Sequence, residues 1–194
     1  MDERWCLIHA THMEPGETAR LAATGAVAGL CPLTEASLGD GVFDGPRFLA
    51  AGGRFGIGTD SNIDIDAAGE LRMLEYGQRL TRRGRNLMTT REGESTGARL
   101  FGEALAGGAK ALAQPIGALA PGVRADIVTL DADHPAFAAA GPGSWLDAWI
   151  FSGGRNAIAS VIAGGEMVVE AGRHLARDAV VTRYRATMRR LTDL

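Results

Sequence analysis

The chain has 194 residues, 46% hydrophobic and 22% charged, which suits one or two compact domains with a real core. Its formal net charge of −3 offers no basic surface for nucleic acid or an anionic membrane, and no apolar run reaches bilayer-spanning length. Two cysteines, Cys6 and Cys31, lie in apolar runs and read as buried thiols; with the charged start Asp2-Glu3-Arg4, the cytoplasm is the default expectation.

In chain order, Trp5-Cys6-Leu7-Ile8-His9 reads as a strand ending on a histidine, with Ala10-Thr11-His12 turning out of it. Pro15-Gly16-Glu17-Thr18 opens a helix that runs through Ala23. Ala26 to Cys31 is a second apolar strand stopped by Pro32, and Leu33 to Gly41 reads as a long polar loop of the kind binding sites use. A short helix from Pro46 to Ala51 leads through Gly52-Gly53 into a third strand, Arg54 to Thr59, which stops on Asp60. Apolar strands alternating with helices argue for an α/β fold with a parallel sheet.

Further on, Ala67 to Arg83 carries Leu71, Leu74 and Leu80 at near-helical spacing, with cations near its end. Ser95 to Leu112 reads as another helix, weakened or interrupted at Gly107-Gly108. After Pro115 the texture changes. Pro121 to Asp131 is a turn followed by a strand, and Ala157–Ala163 and Met167–Glu170 flank a Gly164-Gly165 hairpin signal. Ala179 to Leu194 is a terminal amphipathic helix whose Arg183, Arg185, Arg189 and Arg190 read as a solvated face. The expected division is 1–114 and 115–194.

Chemistry concentrates at the three strand ends. Asp60 is the first candidate, as metal ligand and proton acceptor; the alternative is that it caps the next helix. His9 can act on a metal-bound water or be a histidine satisfied within the core, and His12 can be a plain surface residue. Neither histidine belongs to a closely spaced metal motif.

His9-Ala10-Thr11-His12, the stretch Cys31-Pro32-Leu33-Thr34-Glu35-Ala36-Ser37-Leu38-Gly39-Asp40-Gly41, Gly58-Thr59-Asp60-Ser61-Asn62 and Glu70-Leu71-Arg72-Met73-Leu74-Glu75-Tyr76 together resemble the C-terminal half of the formimidoylglutamate deiminases, in the amidohydrolase superfamily. The likeness continues through Gly117 to Val128. It implies a partial (β/α)8 barrel, strands 6 to 8 with their helices, followed by part of a small β domain and a C-terminal helix. It also implies hydrolysis of N-formimino-L-glutamate, a small-molecule substrate, with one divalent metal, zinc by preference. In those terms Asp60 is catalytic and ligates the metal, and His9 is catalytic beside the metal-bound water. Glu35, in the loop after the second strand, would add negative potential near the substrate amidine; the alternative is that it pairs with an arginine or caps loop backbone. A full barrel takes about 250 residues and a catalytic zinc three protein ligands, so the chain alone should lack most of them. Two rivals remain: a superfamily deaminase with another substrate, and a non-catalytic remnant that associates, with itself or a partner, through exposed barrel edges.

Overall fold

The computed structural model describes residues 1–61 and 64–192. Asn62, at the end of the Gly58 motif, and the last two residues of the expected terminal helix lie outside the described residues. The first half alternates as expected: β1 (Cys6–Ile8), α1 (Pro15–Thr24), β2 (Val27–Leu30), α2 (Pro32–Leu38), α3 (Gly45–Ala50), β3 (Arg54–Ile57). The strands form a parallel sheet in the order β1-β2-β3, with Leu7 opposite Ala28 and Ala28 opposite Phe55. Parallel strands are covered on both faces, and Val27, Ala28, Leu30 and Phe55 are all fully buried. Helix α1 starts at Pro15, with the Glu17 carboxylate accepting from the Glu14 amide at 2.9 Å, and stops at Gly25 (φ 72°).

Two longer helices follow, α4 (Ala67–Arg82) and α5 (Thr96–Leu112). Helix α4 buries Leu71, Leu74 and Gln78, whereas Leu80 is 82% exposed. Residue 80 lies nine positions after 71, about half a turn out of phase at roughly 100° per residue, so it faces away from the core. Gln78 takes the inward place by donating from Nε2 to the Phe43 carbonyl at 2.7 Å. Nor do Gly107 and Gly108 interrupt α5. They let it lie against β3: a Cβ on Gly107 would stand 1.8 Å from the Phe55 carbonyl oxygen. At Gly107 the helix-weakening tendency is overridden by a contact only glycine permits.

The second half holds an antiparallel sheet in the order β4-β5-β6-β7, from β4 (Ile127–Leu130), β5 (Ile158–Ala163), β6 (Glu166–Glu170) and β7 (Arg173–His174). Gly164 and Gly165 make the hairpin turn with φ of 60° and 88°, the pair of positive values that a tight hairpin requires. Between β4 and β5 the chain returns to the first core through irregular helical turns around α6 (Trp145–Ala148), and Phe137, Trp149, Ile150 and Ala157 join the same apolar cluster as Phe55, Leu71 and Leu100. Helix α7 (Arg177–Thr192) buries none of its described residues. No helix among the described residues is long and apolar enough to cross a membrane.

Candidate active site

Parallel pairing brings the ends of β1, β2 and β3 to one side of the sheet. His9 follows β1 in a three-residue turn: its own amide donates to the Gly29 carbonyl at 2.8 Å, and the Ala10 amide donates back to Ile8 at 2.9 Å. His9 and Ala10 have φ of 65° and 50°, and Asp60 at the exit of β3 has φ of 46°. Side chains other than glycine rarely hold this left-handed backbone, which costs of order 1 kcal/mol or more per residue. Both candidate catalytic residues therefore sit on strained strand exits. Their side chains face each other, His9 Nε2 standing 3.8 Å from Asp60 Oδ2. Asp60 is exposed and does not cap the next helix; Asp66 caps α4 by accepting from the Ala68 amide.

The expected loop from Leu33 is instead helix α2, which runs to Leu38 and stops at Gly39 (φ 75°). Pro32 at its first position and Glu35 in its first turn were the signals for it. Glu35 is consequently only 3% exposed. Its Oε1 accepts the Cys31 amide at 2.8 Å and lies 3.2 Å from His9 Nδ1. The carboxylate stands behind the His9 ring on a helix and not on an open loop, and its bond from the Cys31 amide is the backbone-capping alternative. Burial pushes the Glu35 carboxyl up, and its hydrogen bonds from Cys31 and His9 pull the other way.

Thr34, fully buried, holds the Asp60 turn from both sides. Its hydroxyl donates to the Thr59 carbonyl at 3.0 Å and accepts from the Ser61 amide at 3.2 Å. Thr34→Val keeps the shape and removes both bonds, so it should cost about 1–2 kcal/mol. An unchanged thermal midpoint would show that the clamp carries no weight.

Behind α2 lies Glu70, 1% exposed, whose Oε2 accepts the Leu33 amide at 2.9 Å while Oε1 has no protein partner. Burial, with Glu35, Asp64 and Asp66 nearby, raises its carboxyl from 4.5 to about 7. The folded state thus binds this proton more tightly than the unfolded chain. Stability from Glu70 is full below about pH 4.5 and falls as pH rises to about 7, by roughly 3 kcal/mol in all. Glu70→Gln should flatten that slope in unfolding free energy measured against pH; a slope as steep as in the parent would refute the assignment.

The Cys31 thiol is pushed up to about 11 by burial and by the negative charges of Glu35, Asp60 and Glu70, so it stays protonated at neutral pH. Cys6 and Cys31 are both unpaired thiols; Cys31 is buried as expected, but Cys6 only partly so. His12 is exposed and shares an opening with His9, Thr11 and Asp40. His134 and His174 serve local turns, each accepting a backbone amide two residues ahead. Among the described residues no group of three or more His, Cys, Asp or Glu could hold a metal ion. His9 and Asp60 are suitable donor types, but two donors do not close a catalytic metal site. A cavity of about 760 Å³ opens around residues 85–96, Gly143 and Asp147 and includes none of the strand-exit residues.

These features can be set beside known proteins. The profile of the Amidohydrolase family matches residues 1–168. The chain is 47% identical to the formimidoylglutamate deiminase of Pseudomonas aeruginosa across 100% of its own length and 43% of the relative's. It superposes on the crystal structure of an amidohydrolase from Brucella melitensis with a TM-score of 0.90 and 46% identity, covering 99% of this chain and 42% of that one. An adenosine deaminase from Xanthomonas campestris with bound zinc shares the fold at a TM-score of 0.85 and 22% identity, covering 100% of this chain and 44% of that one. The chain therefore spans less than half the length of the curated relatives it matches. With the profile running from before β1 into β6, and with a histidine and an aspartate facing each other across the exits of a parallel sheet, the chain belongs to the amidohydrolase family.

Proposed function

We propose that the chain supplies the C-terminal strand–helix units, strands 6 to 8 of a (β/α)8 barrel, of a deiminase that hydrolyses N-formimino-L-glutamate to N-formyl-L-glutamate and ammonia. The 47% identity to the Pseudomonas aeruginosa deiminase along the whole chain carries this reading. In it β1, β2 and β3 are those strands, residues 1–114 belong to the barrel, and 115–194 to the small β domain with its terminal helix. A divalent metal, zinc by analogy with the Xanthomonas neighbour, would supply a polarised water. Asp60 is the carboxylate this chain offers toward such an ion, and the donors it lacks would come from the rest of the barrel.

The chain's own groups handle protons and orientation. The exposed Asp60 carboxylate can take a proton and return it to the departing nitrogen, so that water adds to the formimino carbon, the carbon–nitrogen bond breaks and ammonia leaves. His9 Nε2, 3.8 Å from Asp60 Oδ2, presents a second polar group to the same space. A second reading, deamination of a purine nucleoside, draws on 29% identity over 95% of the chain to a 5-methylthioadenosine/S-adenosylhomocysteine deaminase of Desulforudis audaxviator.

The test is a chimera in which this chain replaces the matching stretch of the Pseudomonas aeruginosa deiminase. It should release ammonia from N-formimino-L-glutamate, whereas the 194-residue chain alone should keep only substoichiometric zinc after dialysis. A folded chimera that deaminates 5′-methylthioadenosine and ignores formiminoglutamate would move the assignment to the second reading. A folded chimera inactive on both would favour a non-catalytic, associating chain.

A further inference from the structure

We infer that Glu35 is a positioning residue: it fixes the His9 imidazole with its proton on Nδ1 and so turns an unprotonated Nε2 toward Asp60. This rests on the role given to His9 above and adds to it the residue that sets its state. One carboxylate oxygen makes both contacts. Glu35 Oε1 accepts the Cys31 amide at 2.8 Å, an interaction in which it can only be the acceptor. The same oxygen lies 3.2 Å from His9 Nδ1, and an oxygen already committed as acceptor asks the ring nitrogen to be the donor. A proton on Nδ1 leaves Nε2 of the neutral ring with its lone pair, and Nε2 stands 3.8 Å from Asp60 Oδ2.

The arrangement has little freedom to reverse. Glu35 lies in the first turn of α2 and is 3% exposed, held four residues from the Cys31 amide it caps. Helix α2 is itself tied down by the Leu33 amide on Glu70 and by Thr34 on both sides of Asp60. The His9 backbone is fixed by its amide on Gly29 and by the closed turn from Ile8 to Ala10. A histidine side chain free in water favours the opposite tautomer, Nε2–H, so the Nδ1–H form has to be imposed from outside the ring, and Glu35 is the acceptor in place to impose it.

The experiment is a nitrogen–proton correlation spectrum of the imidazoles in the ¹⁵N-labelled 194-residue chain, at a pH where the rings are neutral, with His9 assigned by the loss of its signals in His9→Gln. In the parent, His9 should show a protonated Nδ1 and an unprotonated Nε2. In Glu35→Ala the population should move toward the Nε2–H form. Glu35→Gln, whose amide oxygen still accepts, should restore the Nδ1–H form. A residue that merely holds up α2 would lower the unfolding midpoint in Glu35→Ala without moving the tautomer.

A parent spectrum dominated by Nε2–H or by a doubly protonated ring overturns the inference, as does a tautomer unchanged in Glu35→Ala. Because the parent spectrum decides the first point, the inference stays open to refutation even if the alanine variant does not fold. In the chimera, Glu35→Ala should lower kcat about tenfold or more with KM little changed, and Glu35→Gln should recover part of it. A chimera without turnover, beside the expected tautomers, would remove the deiminase reading and leave the positioning intact.

Discussion

Asp60→Asn, placed in the active chimera, should lower kcat by three or more orders of magnitude, equivalent to about 4 kcal/mol of lost transition-state stabilisation. The amide is nearly the same size and keeps the turn that Thr34 holds, so the loss should be chemical and the fold retained. Asparagine carries no negative charge toward a metal and cannot store a proton at neutral pH. Metal content should fall with it. His9→Ala should also cost kcat heavily, but leave most of the metal in place if the ring serves the water alone. Equal loss of metal from both variants would make His9 a ligand as well, which the separation of 3.8 Å between Nε2 and Oδ2 is short enough to permit. Kinetics within a few-fold of the parent for Asp60→Asn would remove Asp60 from the mechanism altogether.

Glu75→Ala should destabilise the chain by about 3 kcal/mol, a large share of the stability of an ordinary domain. Glu75 is completely buried, and its carboxylate accepts the Leu87 amide at 3.1 Å, the Met88 amide at 3.0 Å and Arg79 Nε at 2.7 Å. It thereby pins the turn after α4 and delivers Met88 into the core. Arg79 in turn covers Tyr76 and Phe151, with its guanidinium 5.3 and 5.4 Å from the two ring centres. Removing the carboxylate strands two backbone amides and loosens that stack. Glu75→Gln keeps an acceptor and should lose less. Urea unfolding measures both; a cost below about 1 kcal/mol for alanine would mean that water replaces the carboxylate freely.

Much of this architecture was legible because parallel strands advertise themselves. Runs such as Ala26 to Cys31 have no polar face, and the polar residue that ends each run marks the exit. His9 and Asp60 stand out as candidates because each ends a strand, while the roles expected of them come from the family resemblance. The stretch around Glu35 reads as a loop because the polarity of 33–41 outweighs the helix-start signals of Pro32 and Glu35, yet it forms helix α2. Leu80 groups with Leu71 and Leu74 by near-helical spacing although its phase on α4 points outward, while the inward Gln78 depends on a distant carbonyl, Phe43, that no local pattern reveals. The same limit hid Glu70, Glu75 and Thr34, whose roles depend on backbone groups far along the chain. The glycines of α5 misled for the opposite reason: their local weakness is real, but the strand they touch was out of view. Residues 135–157 carry no period of either kind, and their short turns hold together by packing Phe137 on Trp145 and Phe101 on Trp149.

The left-handed exits at His9, Ala10 and Asp60 bear on any attempt to transplant this pair into another protein. A designer who copied only the two side chains onto the ends of neighbouring strands would inherit ordinary extended backbone at both places, and with it different directions for the Cα–Cβ bonds. The facing geometry belongs to the turns as much as to the residues, so the portable unit is larger than a histidine and an aspartate. It includes the carbonyl of Gly29 that receives the His9 amide and the Thr34 hydroxyl that brackets Asp60. Those two attachments come from β2 and the helix after it, which makes the middle strand, with no catalytic side chain of its own, the part a graft could least do without.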